Sequence, residues 1–299
     1  MPADAPDTSR KAAAQAALAT VTPSPGCAKP DPILVASNVV RSFGGLTAVN
    51  VEHVEIQRGA ITALIGPNGA GKTTFFNLLT GFDKPDSGDW EFNGNKMARM
   101  APFRVARLGM VRTFQLTKAL SRLTVLDNMR LGANHQRGER LFASMFRFLW
   151  SAQEDEVTKR ADAILQRFSM DKKREDFAGS LSGGQRKLLE MARALMSNPE
   201  LLMLDEPMAG VNPALTQSLL QHIKEIREEG ATVLFVEHDM DAVHDISDWV
   251  IVMAQGRVIA EGPPSSVMKN QDVIDSYLGA HHDKALTESG VGLTKEAGA

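Results

Sequence analysis

Gly66-Pro67-Asn68-Gly69-Ala70-Gly71-Lys72-Thr73-Thr74 decides the reading of this chain, because the pattern changes period across it. Before it stands an apolar run of strand length, residues 61–65. After it, residues 72–80 carry apolar positions at helical spacing. Strand, glycine-rich turn and helix in that order fit G-x-x-x-x-G-K-[ST], a cradle for phosphate. Glycines let backbone N–H groups curl inward around an anion, and the helix presents its positive end to the same anion. Lys72 supplies a point charge for β- and γ-phosphates, and the Thr73 hydroxyl can ligate Mg²⁺. A tight glycine turn beside a surface lysine would share the letters but not the flanking elements. Alone, the string says only that a nucleoside triphosphate is hydrolysed or gives up a phosphoryl group.

Working outward, residues 201–204 form a second apolar run and end in Asp205-Glu206. In parallel sheets the carboxyl ends of strands are where ligands bind. There Asp205 would hold Mg²⁺, directly or through water. Glu206 would face the γ-phosphate and orient or deprotonate the attacking water. Residues 232–236 and 250–253 read as further strands, and residues 213–228 as a helix that opens on Pro213. Strands alternating with helices predict an α/β fold with a parallel sheet. Between about Thr124 and Ser197 the strand pattern vanishes, which predicts an inserted α-helical subdomain over about residues 115–200.

Within that insertion stands Leu181-Ser182-Gly183-Gly184-Gln185, followed by an amphipathic run. The pentapeptide would arise by chance in fewer than roughly one chain in a thousand. Ser182 has N-cap chemistry, and the two glycines admit a close backbone approach. An ordinary capped helix would also use these residues, but beside a phosphate loop they make a second anion site.

The order GPNGAGKTT, Gln115, LSGGQ, LLMLDEP and His238 resembles the ATP-binding cassette ATPases over about residues 33–280, which makes residues 31–281 the expected ATPase domain. The resemblance implies a RecA-like phosphate-loop core with an antiparallel β subdomain and the inserted helical subdomain. It also implies that two cassettes, copies of one chain or sisters, pair head to tail. Each ATP would then lie between the residues 66–74 of one cassette and the Leu181, Ser182, Gly183, Gly184 and Gln185 of the other. Phe43 corresponds to the aromatic that stacks on adenine, here a phenyl without a hydroxyl. Gln115 corresponds to a glutamine that contacts Mg²⁺ and the water at the joint with the helical subdomain. His238 corresponds to the histidine bridging γ-phosphate and catalytic carboxylate. Where the pattern usually ends its loop after the acidic pair in Asp, this chain has Asn212, which can still hydrogen-bond across the cassette pair but carries no charge. Glu237 is an extra acid beside His238, with no catalytic role assigned.

Composition agrees with this class. The chain has 299 residues, 43% hydrophobic, enough for a sizeable core. A net charge of -3 gives no basis for a nucleic-acid partner. Cys27 is the sole cysteine, so no internal disulfide forms. No apolar run approaches the roughly 20 residues that span a bilayer, so other chains would do the spanning. Arg10 and Lys11 precede an alanine-rich stretch whose apolar core is too weak for a secretory signal. Residues 1–30 read as a disordered extension and residues 282–299 as a flexible tail.

Several stretches are similar to the importers of branched-chain amino acids: Phe43-Gly44-Gly45-Leu46, residues 77–82, Val111-Arg112-Thr113-Phe114-Gln115, Glu237-His238-Asp239-Met240 and Tyr277-Leu278-Gly279. Residues of about 134–153 match a long insertion in that group. Urea importers and lipopolysaccharide-extracting cassettes share some of these stretches, and ATPases of ribosomes or DNA repair share the motifs. The resemblance implies two transmembrane permease subunits, an external substrate-binding protein acting indirectly, and a peripheral place on the cytoplasmic face of the inner or plasma membrane.

Overall fold

The computed structural model describes residues 8–113, 121–134 and 151–277. Helix α1 (Thr8–Ala19) leads into β1 (Pro32–Phe43), β2 (Leu46–Gln57) and β3 (Ile61–Ile65), then α2 (Lys72–Leu79), β4 (Ser87–Phe92), β5 (Asn95–Lys96), α3 (Pro102–Arg107) and β6 (Met110–Arg112). The helical part holds α4 (Val125–Leu131), α5 (Ser151–Arg167) and α6 (Gly183–Leu195). The core resumes with β7 (Leu201–Asp205), α7 (Pro213–Glu228), β8 (Thr232–Val236), α8 (Met240–Ile246), β9 (Trp249–Ala254), β10 (Arg257–Gly262) and α9 (Pro264–Val267).

Two sheets form. The larger runs β10-β9-β3-β8-β7-β6, parallel from β9 to β6, with β10 antiparallel at its edge. The smaller, β2-β1-β4-β5, is antiparallel throughout. The parallel strands are buried on both faces, which is why they read as unbroken apolar runs. Their period of two divides the core. Leu202 and Leu204 of β7 face a layer with Leu219, Ile223 and Ile226 of α7. Leu201 and Met203 face the other layer, with Phe75 and Phe76 of α2 and the inner residues of β1 and β2. The first layer continues into the helical part through Val125, Met129, Leu165, Phe168, Leu188 and Met191, so core and subdomain share one apolar interior.

The N-terminus departs from expectation. Thr8–Ala19 is a helix, not a disordered extension, and the chain after it is fastened to the core. Ala14 and Leu18 are buried, one turn apart on one face. Gln15 Nε2 donates to Asp248 Oδ1 at 2.8 Å, and Lys11 lies 3.6 Å from Glu228. Farther on, Lys29 Nζ donates to Glu261 Oε2 at 2.8 Å with both side chains almost wholly buried. Trp249 Nε1 and the Cys27 amide donate to the same carboxylate, and Lys29 Nζ stands 4.8 Å from the centre of the Trp249 ring. A run of alanines favours helix, and its small side chains let α1 lie close to the backbone at Gly59. The expected tail and most of the expected insertion near residues 134–153 lie outside the described residues.

Candidate active site

The phosphate loop is built by β3 and α2. Gly66, Gly69 and Gly71 hold φ of +148°, +79° and +96°. Two of them also have no room for a side chain. A Cβ on Gly66 would meet Met253 O at 2.0 Å, and one on Gly71 would meet Ala48 O at 2.2 Å. Only glycine meets both demands. Lys72 is 6% exposed, and its Nζ donates to Gly66 O at 2.7 Å and Pro67 O at 3.0 Å. Burial pushes its pKa down, while Glu206 and Asp205 pull it back up. A cavity of about 550 Å³ opens over this loop, lined by residues 68–74 together with Leu46, Glu206, His238 and Gln255 among others.

Glu206 and His238 follow β7 and β8, neighbours in the sheet, so both side chains emerge at the carboxyl edge beside Lys72. His238 Nε2 lies 2.7 Å from Glu206 Oε1. Glu206 holds φ of +48°, a left-handed conformation costly for a side chain of this size. Its amide donates to Val236 O at 3.1 Å, and its carbonyl accepts from Ala209 N at 3.2 Å. The buried Glu237 pins the same loop, accepting from Met208 N at 2.9 Å and His238 N at 3.1 Å. Burial raises its pKa. Glu237 thus shapes the site from behind.

Asp205 is only 7% exposed and paired with Arg112, Nη2 to Oδ2 at 2.6 Å. The other Arg112 nitrogen donates to Asn77 Oδ1 of α2 at 2.6 Å, and the guanidinium stands 5.5 Å from the centre of the Phe76 ring. One arginine therefore joins β6, β7 and the phosphate-loop helix. In the sequence, a cation inside a short apolar segment was the available signal.

The other expected residues fall elsewhere. Phe43 does not line the cavity; it ends β1 half exposed, with the Arg41 guanidinium 4.6 Å from the centre of its ring. Ser182 N-caps α6 in a capping box: its hydroxyl accepts from Gln185 N, and Gln185 Oε1 accepts from Ser182 N at 3.0 Å. Gly183 has open space around it, while a Cβ on Gly184 would meet Leu215 Cδ2 at 2.0 Å. The LSGGQ end of α6 is thus open on one side and packed against α7 on the other, away from the cavity over Lys72. Asn212 spends its side chain as the N-cap of α7, accepting from Leu215 N at 3.0 Å. Gln115 lies outside the described residues.

For Mg²⁺ the donor chemistry fits. Thr73 and Asp205 offer oxygens, the ligands this hard cation takes, and it is commonly held by one or two carboxylates plus substrate phosphates. Among the described residues no cluster of three metal-ligating side chains forms, and such a site needs none.

Comparison with known proteins agrees with this geometry. Residues 49–209 match the ABC transporter family, and residues 257–283 match the branched-chain amino acid ATP-binding cassette transporter family. The chain is 43% identical to the probable branched-chain amino acid transport ATP-binding protein LivG of Archaeoglobus fulgidus, over 83% of this chain and 96% of that one. It is 39% identical to the high-affinity branched-chain amino acid transport ATP-binding protein LivG of Escherichia coli K12, over 83% of this chain and 98% of that one. Its fold is similar to the ADP conformation of MJ1267, an ATP-binding cassette of an ABC transporter. The TM-score is 0.73 at 37% identity, covering 83% of this chain and 99% of that one. A phosphate loop, an acidic strand end with its histidine and an LSGGQ helix, set in this topology, are the parts of a transporter's ATP-hydrolysing cassette, and the chain belongs to the ABC transporter family.

Proposed function

We propose that this cassette energises uptake of branched-chain or similar apolar amino acids, with Glu206 as the base of its ATPase reaction. The observation that supports the chemistry is the 2.7 Å approach of Glu206 and His238 beside Lys72 in one cavity. Lys72 turns from the loop carbonyls to the β- and γ-phosphates, and the N–H groups of residues 69–74 cradle them. Glu206 takes the proton of the water that attacks the γ-phosphorus as the bond to the β–γ bridging oxygen breaks and ADP leaves with phosphate as the other product, and His238 holds that carboxylate and the γ-phosphate in register. Thr73, Asp205 and Gln115 would hold Mg²⁺, which when bound would supply charge neutralisation to the phosphates. Phe43, at the end of β1, stacks on adenine. Ser182 and its neighbours close on the nucleotide of a second cassette, a copy or a sister.

Two permease subunits would span the membrane, since among the described residues no helix is long and apolar enough to cross it. Their cytoplasmic loops find a groove of about 220 Å³ between Phe82 and Phe103, both more than half exposed, floored by Val105, Met110 and Val111. The cassette thus lies peripherally on the cytoplasmic face. An external binding protein and the permeases select the cargo. The names of the relatives and the match over residues 257–283 support an amino acid.

The test is transport. Cells lacking this chain should lose high-affinity leucine uptake and regain it with wild type but not with Glu206→Gln. Normal leucine uptake beside a defect in urea uptake or in outer-membrane lipid delivery would overturn the cargo and leave the ATPase standing.

A further inference from the structure

Helix α6 begins at the LSGGQ end that would face a second cassette's nucleotide, whereas Glu206 serves the nucleotide over Lys72. One side chain joins the two. Lys187, half-buried on the second turn of α6, donates from Nζ to the main-chain oxygen of Glu206 at 3.1 Å. That oxygen also accepts from Ala209 N at 3.2 Å, so the ammonium fills its second lone pair.

The peptide it grips is an unusual one. Glu206 is held at φ of +48°, and such a conformation persists only where its surroundings over-determine it. The Val236 carbonyl and Glu237 do part of this from the sheet side. The hydrogen bond of Lys187 comes instead from the helical subdomain. Relaxation of that φ turns the carbonyl and Cβ together about the N–Cα bond, so it swings the carboxylate away from His238.

We propose that Lys187 is a positioning residue for Glu206: it ties the place of the carboxylate to the place of the LSGGQ helix, so that the base is set when that helix stands against the core. The proposal rests on Glu206 being the base. A plainer role would be helix stability, Lys187 standing one turn before Glu190.

The test uses the full chain and three variants, with steady-state ATPase kinetics, equilibrium ATP binding and thermal melting. Lys187→Met keeps the length of the side chain and removes its N–H groups. Its kcat should fall by roughly 10- to 100-fold, the scale of a small misplacement of a reacting group. Its KM and ATP affinity should stay within about 2-fold, since the loss falls on the transition state alone. Lys187→Arg, which can still donate, should recover most of the rate. Glu206→Gln separates the two readings. If Glu206→Gln is inactive while Lys187→Met turns over at the wild-type rate, the positioning role is overturned and the base stands. If Glu206→Gln itself turns over normally, the base falls and the proposal with it. If Lys187→Met loses kcat, KM and melting temperature together and Lys187→Arg restores none of them, the lysine is a packing residue and the proposal is overturned.

Discussion

Arg112 closes on Asp205 at 2.6 Å, and both side chains are more than nine-tenths buried. A pair this deep is costly to break, because the surviving charge is left without water or partner. Arg112→Met should therefore destabilise the fold by about 3–5 kcal/mol. Arg112→Lys, which keeps the charge but loses the fork that also reaches Asn77, should fall in between. Chemical denaturation measures both. Wild-type stability in Arg112→Met would show that the pair contributes nothing.

Glu206→Gln keeps the shape and the approach to His238 while removing the base. Turnover should fall about 10²- to 10⁴-fold, with ATP binding retained by calorimetry. A variant that binds no ATP would shift the role of Glu206 from chemistry to binding.

Deletion of residues 1–30 removes Lys29 from beneath Glu261 and uncovers the surface under Ala14 and Leu18. Losing one member of a buried pair costs about 3–5 kcal/mol, so melting should drop by roughly 5–15 °C. ATPase activity per folded molecule should be kept, because the arm's described contacts fall on Gly59, Glu228, Asp248 and Glu261 and not on the residues over Lys72. An unchanged melting temperature would mean that the arm is an ornament.

Glu190, buried on α6, has its pKa lifted by burial to about 7 against the pull of Lys187, Arg193 and Arg186. The folded chain holds this proton more tightly than the unfolded one, where the ordinary value is 4.5. Stability is therefore full below that value, falls as pH rises through the window up to about 7, and levels off above it. Glu190→Gln stays neutral, so it should flatten the fall and gain on the order of 2 kcal/mol on wild type at about pH 8. Denaturation at several pH values checks it; parallel curves for the two chains would refute the assignment.

The site was legible in the sequence wherever its chemistry is local. Residues 66–74, Asp205-Glu206 and residues 181–185 each need special backbone in consecutive positions, and that demand shows in the letters. The strands around them were legible too, because double burial leaves apolar runs. Arg112 and Asp205 were not paired by reading, since nothing local to either residue names a partner on another strand. Asn212, expected to hydrogen-bond across a pair of cassettes, instead caps its own helix α7 here. The arm escaped because, among the described residues of its helix, Ala14 and Leu18 are the buried positions, a face too small to print an amphipathic pattern. What holds it is the receiving surface, Gly59, Asp248 and Glu261, contributed by distant parts of the chain.

The parallel sheet has a direction, and the arm is fastened where its strands begin. Gly59 and Asp248 precede β3 and β9, whereas Lys72, Glu206 and His238 follow the exits of β3, β7 and β8. Five residues of β3, at about 3.3 Å each, set roughly 16 Å between the two ends. Changes to the arm therefore alter how long the molecule lasts without retuning how fast it works. The same polarity makes helix α1 the place to attach a fluorophore or tether the cassette to a chip, on the side away from the door through which nucleotide comes and goes.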